Sequence, residues 1–154
     1  FFIPDNPVPV TMQTFGILLV GGLYGPRLTL LSIFSYMIIG IIGVPVFQSH
    51  NGGIDYFFGV TGGYLIGFIF ASVIISILSN SGLKKGLSIW AMIIGNLMIY
   101  ITAIVWLSVY DFGWPEKGKL FSQAVYPFLI GDFIKLILAS LSINILWKLS
   151  NKNK

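Results

Sequence analysis

Apolar residues run almost unbroken through five stretches of this chain, separated by small, polar or proline-containing connections. The stretches are Thr11 to Tyr24, Leu28 to about Val44, Gly62 to Ser79, Leu87 to Val109, and about Pro127 to Trp147. Crossing the hydrocarbon of a bilayer takes ~20 mainly apolar residues in a helix, so the pattern predicts about five helical spans. The first is short and rich in glycine, which predicts a tilted or broken helix ended by Gly25-Pro26, since proline cannot continue a helix. Pro45 stops the second. Each stretch is apolar on nearly all sides, so periodicity does not say which face of a helix is buried. Three connections stand out: the glycine-rich, aromatic Phe47–Gly59 loop, the short basic turn Asn80–Gly86, and the mixed segment from Tyr110 to Leu120.

Composition turns this pattern into a fold class. The chain has 154 residues, of which 56% are hydrophobic and 9% charged, and its mean hydropathy is +0.90. A soluble domain carries about 25% charged residues. The expectation is an all-α integral membrane protein, with residues 1–154 forming one compact membrane-embedded bundle. There is no cysteine, which excludes disulfides, thiol catalysis and iron–sulfur clusters. A single histidine, His50, argues against a histidine metal site and reads as a loop residue. No cofactor is expected. No Walker A sequence is present, so any energy from ATP has to come from a partner.

Placing the charges removes nucleic acid as the reason for a net charge of +4. Arg27, Lys84, Lys85, Lys148, Lys152 and Lys154 fall on alternate ends of the spans, with no acid among them; Lys84-Lys85 reads as a topology signal. The other ends carry Asp5, Asp55, Asp111 and Glu116, with Lys117 and Lys119. The positive-inside rule puts the first set in the cytoplasm, with Phe1 outside and Lys154 inside. The opening Phe-Phe-Ile-Pro-Asp-Asn-Pro has no basic n-region and is not a signal peptide. A first residue on the outside predicts a preceding helix, hence six transmembrane helices in the full protein with both ends cytoplasmic.

Against this background, one pair of residues is out of place. The last apolar stretch contains Asp132 and Lys135. Three residues apart on a helix, they share a face. Ionisable groups in hydrocarbon are costly and face a bundle interior or a wet cavity. They either glue helices together or hold a polar ligand. Entering from outside near Pro127, the helix carries Lys135 ~10–12 Å inward at 1.5 Å per residue. A site in the outer half suits capture of an external solute better than a pore, which needs polar lining along its whole length.

Other signals carry two readings each. Gly21 and Gly25, and then Gly59, Gly63, Gly67 and Ala71, make small-xxx-small patterns that allow close helix contact, within the bundle or toward another membrane subunit. Asn96 is an amide deep in a span, suited to an interhelical hydrogen bond or a ligand contact, and Tyr36 is similarly placed. Trp106 sits where tryptophan anchors at the membrane interface. Thr11 and Gln13 cap the first helix or face a pocket.

The motifs, taken in order, resemble those of one family. They are Val8-Pro9-Val10-Thr11-Met12-Gln13-Thr14-Phe15, Tyr24-Gly25-Pro26-Arg27, Gly40-Ile-Ile-Gly43-Val-Pro45-Val-Phe47, Thr61-Gly62-Gly63-Tyr64-Leu65, Gly95-Asn96-Leu-Met-Ile-Tyr100, and Pro127-Phe-Leu-Ile-Gly131-Asp132-Phe-Ile-Lys135. Nearly the whole chain is similar to BioY, the family of biotin-specific substrate-binding (S) subunits of energy-coupling-factor (ECF) transporters. Val10 and Met12 depart conservatively from the Phe and Leu more usual there. The resemblance implies a six-helix protein of the cell membrane that binds biotin from outside and is not an enzyme. It implies a transmembrane coupling subunit and two cytoplasmic ATPase subunits as partners, and delivery of the vitamin by toppling in the bilayer. In the family the first helix carries small residues that dock on the coupling subunit, and this chain holds no match to it.

The resemblance also implies that Asp132 and Lys135 are ligand residues. Asp132 can accept from a ureido N–H of biotin and Lys135 can donate to the ureido carbonyl, both as charge-assisted hydrogen bonds. Asn96 is a further amide candidate. Donors for the tail carboxylate are sought near Gly52-Gly53, at Thr61-Gly62-Gly63 where a helix opens, and at Gln48 and Asn51. Lys135 is a rival partner for the carboxylate, which would reverse the ligand. Phe47, Tyr64, Tyr36 and Trp106 are expected to pack on the apolar rings, under a lid formed by residues 47–59. The alternatives are an S subunit for thiamine or riboflavin, an autonomous secondary transporter without an evident inverted repeat, and a lipid-acting membrane enzyme, for which one acid and one base in the membrane are a poor equipment.

Overall fold

The computed structural model describes residues 6–80 and 88–152. Lys84-Lys85, Leu87, Asp5, Phe1 and Lys154 lie outside the described residues. Among the described residues seven α-helices follow in order: α1 Gln13–Leu23, α2 Pro26–Ile41, α3 Ile54–Phe57, α4 Gly62–Asn80, α5 Ser88–Val109, α6 Leu120–Ala124 and α7 Tyr126–Lys152, with a 3₁₀ turn at Gln48–His50. All five apolar stretches are helical. Three helices are long and apolar enough to cross a membrane: Gly62–Asn80, Ile89–Val109 and the segment from Leu120 to Leu149. Helix α1, at 11 residues, rises only ~16 Å at 1.5 Å per residue, which leaves it well short of a ~30 Å hydrocarbon core.

The break between α1 and α2 is built by Gly25, extended at φ −68° and ψ 160°, and by Pro26 in the first turn of α2. Proline suits that position because its missing N–H has no helical partner there anyway. The break frees the Tyr24 carbonyl, which α4 satisfies: the Ser76 hydroxyl donates to it at 2.6 Å and Asn80 Nδ2 at 3.3 Å. An unpaired backbone carbonyl in lipid would cost several kcal/mol. The break is thus tolerated because hydroxyl and amide side chains of α4 reach it.

Helix α4 is the centre of the bundle, packed on α1, α2 and α5. Its glycines set the spacing. A Cβ at Gly63 would lie 2.8 Å from the Ala103 Cα, and one at Gly67 would lie 2.8 Å from the Ile99 Cα. Backbones of α4 and α5 therefore meet directly, as small residues permit. Gly21 does the same for α1, where a Cβ would lie 2.9 Å from the Ser72 carbonyl oxygen. Gly25 has nothing near it.

Helix α7 shows a buried stripe that its even hydrophobicity concealed. Phe128, Asp132, Lys135, Leu136, Ala139 and Ile143 are buried, while Ile130, Phe133, Ile134, Leu138 and Leu141 are exposed. A large apolar exterior around a core containing an ion pair is the arrangement of a protein whose solvent is lipid.

Hydrogen bonds fix the alternation of the helices. At one end Trp106 Nε1 donates to the Gly59 carbonyl, Asn6 Nδ2 to Gln123 and the Tyr64 hydroxyl to Ala124. At the other end Ser76 and Asn80 meet Tyr24. Asp55, Asp111, Glu116, Lys117 and Lys119 belong to the first end, and Arg27 and Lys148 to the second.

Candidate functional site

A cavity of about 540 Å³, its mouth included, opens among the N-terminal segment, the Gln48–Phe57 region, and helices α1, α4, α5 and α7. Val8, Val10, Leu65, Phe68, Ile99 and Phe128 supply apolar wall. The polar groups sort into two sets. Asp132, Lys135 and Tyr100 come from the facing stripes of α7 and α5, and Thr11, Gln13, Thr14, Gln48, Tyr56 and Thr61 come from the chain segments nearer the first end.

The charged set is a closed network. Lys135 Nζ donates to Asp132 Oδ1 at 2.9 Å, and the Tyr100 hydroxyl donates to Asp132 Oδ2 at 2.5 Å. Asp132 and Lys135 are each only 6% exposed, so water does not screen the pair as it would on a surface. Each partner keeps capacity for a ligand. The carboxylate has about four lone-pair sites and the ammonium three N–H donors, and the network uses two of the first and one of the second. A molecule that binds here has to offer an acceptor to Lys135 and N–H donors to Asp132.

The neutral set contains a polar atom with no partner. The Tyr56 hydroxyl is buried and makes no hydrogen bond, although it stands beside the side chains of Thr61 and Gln48. Thr61 sits immediately before α4, whose N–H groups point back at it. Gln48 Nε2 reaches only the Pro7 carbonyl, at 3.5 Å. This is a group of donors awaiting an acceptor.

Of the residues singled out in the sequence, Thr11, Gln13, Asp132, Lys135, Gln48, Thr61 and Tyr64 line the cavity. The others stand around it. Tyr36 lies behind Gln13, whose Nε2 donates to the Tyr36 hydroxyl, while that hydroxyl donates to Val46. Phe47 is buried under Tyr56, stacked at 5.7 Å between ring centroids, so Tyr56 and not Phe47 faces the space. Gly62 is covered by the Phe57 carbonyl and the Trp106 ring. Trp106 itself belongs to an aromatic cluster with Phe58, Tyr110 and Phe112, a membrane-interface arrangement. Asn96 is buried beside Tyr100 and lines a separate apolar groove between α5 and α7. The Gly53 N–H is committed to the Gly40 carbonyl at 2.7 Å, and Asn51 Nδ2 to the Gln48 carbonyl. Neither amide is free for an anion. Tyr100, Tyr56 and Thr14 are polar lining residues that sequence reasoning missed. For Tyr100 the signal was its i, i+4 spacing from Asn96 in the same span.

A helical membrane protein with an internal, mostly apolar cavity and one buried ion pair in its wall is built to hold a small polar solute within the bilayer. The BioY family model matches residues 1–152, and the chain belongs to the BioY family. A probable biotin transporter BioY of Pyrococcus horikoshii is 38% identical over 131 residues, covering 84% of this chain and 75% of that protein. The biotin transporter BioY of Thermotoga maritima is 34% identical over 139 residues, covering 90% and 80%. Among solved structures, the S-component for biotin from an ECF-type ABC transporter superposes with a TM-score of 0.80 at 29% identity, covering 96% of this chain and 80% of that one.

Proposed function

We propose that this chain is the biotin-binding membrane subunit of an ECF-type ABC transporter, taking up the vitamin from outside. It works with a transmembrane coupling subunit and two cytoplasmic ATPase subunits, and catalyses no reaction itself. The observation that carries the reading is the buried Asp132–Lys135 pair in the cavity wall. A cyclic urea presents a carbonyl acceptor flanked by two N–H donors, and the free valences of Lys135 and Asp132 match that order.

The pair also supports one orientation of the ligand. A carboxylate placed against Lys135 would meet the Asp132 carboxylate beside it, and like charges at short range are unfavourable. Lys135 is the one cation among the described lining residues. The tail carboxylate is therefore assigned to the neutral donors Tyr56, Thr61 and Gln48, beside the start of α4, where the helix dipole favours an anion. The thioether ring and aliphatic tail lie between, against Phe68, Ile99 and Phe128. With the acidic end outside, as the charge distribution supports, the cavity opens outward. Thiamine is a cation and riboflavin a large tricycle, and neither offers the pair a carbonyl flanked by two N–H donors.

The test is a titration of the purified protein with biotin in detergent, beside Asp132→Asn and Lys135→Ala. The expected result is tight wild-type binding, with Lys135→Ala weaker by about 100-fold or more, because removing one partner leaves the other charge buried and unpaired. A folded Lys135→Ala protein that still binds tightly would make the pair purely structural.

A further inference from the structure

Asn96 is 6% exposed, and its amide oxygen has no hydrogen-bond partner. It lies one helical turn before Tyr100 on α5, close to the Tyr100 hydroxyl. Tyr100 lines both the ligand cavity and the apolar groove between α5 and α7, whereas Asn96 lines only the groove, with Leu97, Ile130 and Phe133. The side chains thus form a line that runs from the lipid-facing groove to the cavity: Asn96, Tyr100, Asp132, Lys135.

The direction of the hydrogen bonds along that line follows from what each group can do. The Tyr100 proton is committed to Asp132 Oδ2, so what the hydroxyl turns toward Asn96 is a lone pair. Only the NH₂ side of the amide can meet a lone pair attractively. That turns the amide oxygen away from the hydroxyl, in keeping with its having no hydrogen-bond partner, and a buried oxygen left unpaired is costly. An apolar residue at this position would avoid that cost. What the amide offers in exchange is a donor beside the Tyr100 hydroxyl.

We propose that Asn96 and Tyr100 are positioning residues for the ligand pair. Asn96 donates to the Tyr100 hydroxyl and fixes its rotor. Tyr100, so fixed, keeps its proton on Oδ2 and holds the Asp132 carboxylate at the angle in which its remaining lone pairs face the cavity. Asn96 does not touch the ligand; it acts through Tyr100. The consequence is specificity for a ligand group with N–H donors, because a carboxylate held in place discriminates between an N–H and an N-alkyl group, and a rotating one does so less well. This inference rests on the biotin reading of the cavity.

The test is a double-mutant cycle in the full chain, in detergent, with Asn96→Leu, Tyr100→Phe and both together. Dissociation constants are measured for biotin and for its analogue methylated on a ureido nitrogen. Tyr100→Phe is expected to weaken biotin about tenfold, and Asn96→Leu about threefold to tenfold. Because Asn96 acts through Tyr100, the double variant should bind no more weakly than Tyr100→Phe alone, a failure of additivity diagnostic of coupled groups. Preference for biotin over the methylated analogue should shrink in every variant. Asn96→Ser, smaller and still able to donate, should recover part of both, and it also serves if Asn96→Leu does not fold. Losses that multiply in the double variant would make Asn96 an independent ligand contact and overturn the inference. So would an unchanged analogue preference. A wild-type protein that binds no biotin would instead sink the functional reading, before any variant is compared.

Discussion

At the scale of single residues, the proposed site matches unpartnered polar groups to a ligand's complementary ones. Tyr56 shows this at the end of the cavity away from the ion pair. Its hydroxyl is buried, unpartnered and beside Thr61 and Gln48, and a buried hydroxyl without a partner is costly. A ligand carboxylate removes that cost. Tyr56→Phe should weaken biotin about tenfold, since hydrogen bonds to charged groups contribute about 1.5–3 kcal/mol. The same change should leave binding of the alcohol analogue of biotin within about twofold, because a neutral hydroxyl gains less from the tyrosine. Titration of both ligands checks this, and an equal loss for both would place the carboxylate elsewhere. The sequence made Asp132 and Lys135 legible because charge in a span has few explanations. It did not reveal Tyr56, because the choice between Phe47 and Tyr56 as the face toward the ligand is made by stacking. Phe47 is turned under Tyr56 by its contacts with Tyr36 and Phe57, and no local pattern in the loop encodes that.

At the scale of elements, the glycine spacing carries more information than the hydrophobic pattern. Gly63 and Gly67 were readable as a close-contact face, and their neighbours are backbone atoms of α5. The partner of each glycine was not readable, because every neighbouring stretch is equally apolar. The same evenness hid the buried stripe of α7, where only the i, i+3 charges mark the inward side. It also left open whether α1 is tilted or broken, since a broken helix and a tilted one have the same composition. Gly67→Leu tests the α4–α5 seam. Its side chain would have to displace Thr102 and the backbone at Ile99, and overpacking of this kind costs about 1–3 kcal/mol. A lower melting temperature in detergent is expected. Biotin affinity should fall with it, because Thr61, Tyr64 and Phe68 on α4 and Ile99 and Tyr100 on α5 line the cavity from the two sides of this seam. A variant that melts like the wild type would mean that α4 and α5 can separate without consequence.

At the scale of the whole molecule, function depends on which end of the bundle faces out. The structure separates two ends: one with Asp55, Asp111 and Glu116, where the Gln48–Phe57 region borders the cavity, the other with Arg27 and Lys148. Helix packing alone is indifferent to direction in the bilayer. What breaks the symmetry is the excess of Lys and Arg on short cytoplasmic loops, and the proposal that the second end is cytoplasmic rests on it. Because the chain contains no cysteine, single cysteines report orientation without background. Asp111→Cys and Glu116→Cys, both on exposed positions, should react with a membrane-impermeant maleimide in intact cells. Lys148→Cys should react only after permeabilisation. Asp132→Cys, buried in the cavity wall, should react slowly from outside with a small permeant thiol reagent. The reverse pattern at Asp111 and Lys148 would open the cavity to the cytoplasm, and a protein arranged that way could not capture a vitamin from the medium however well the ion pair fitted it.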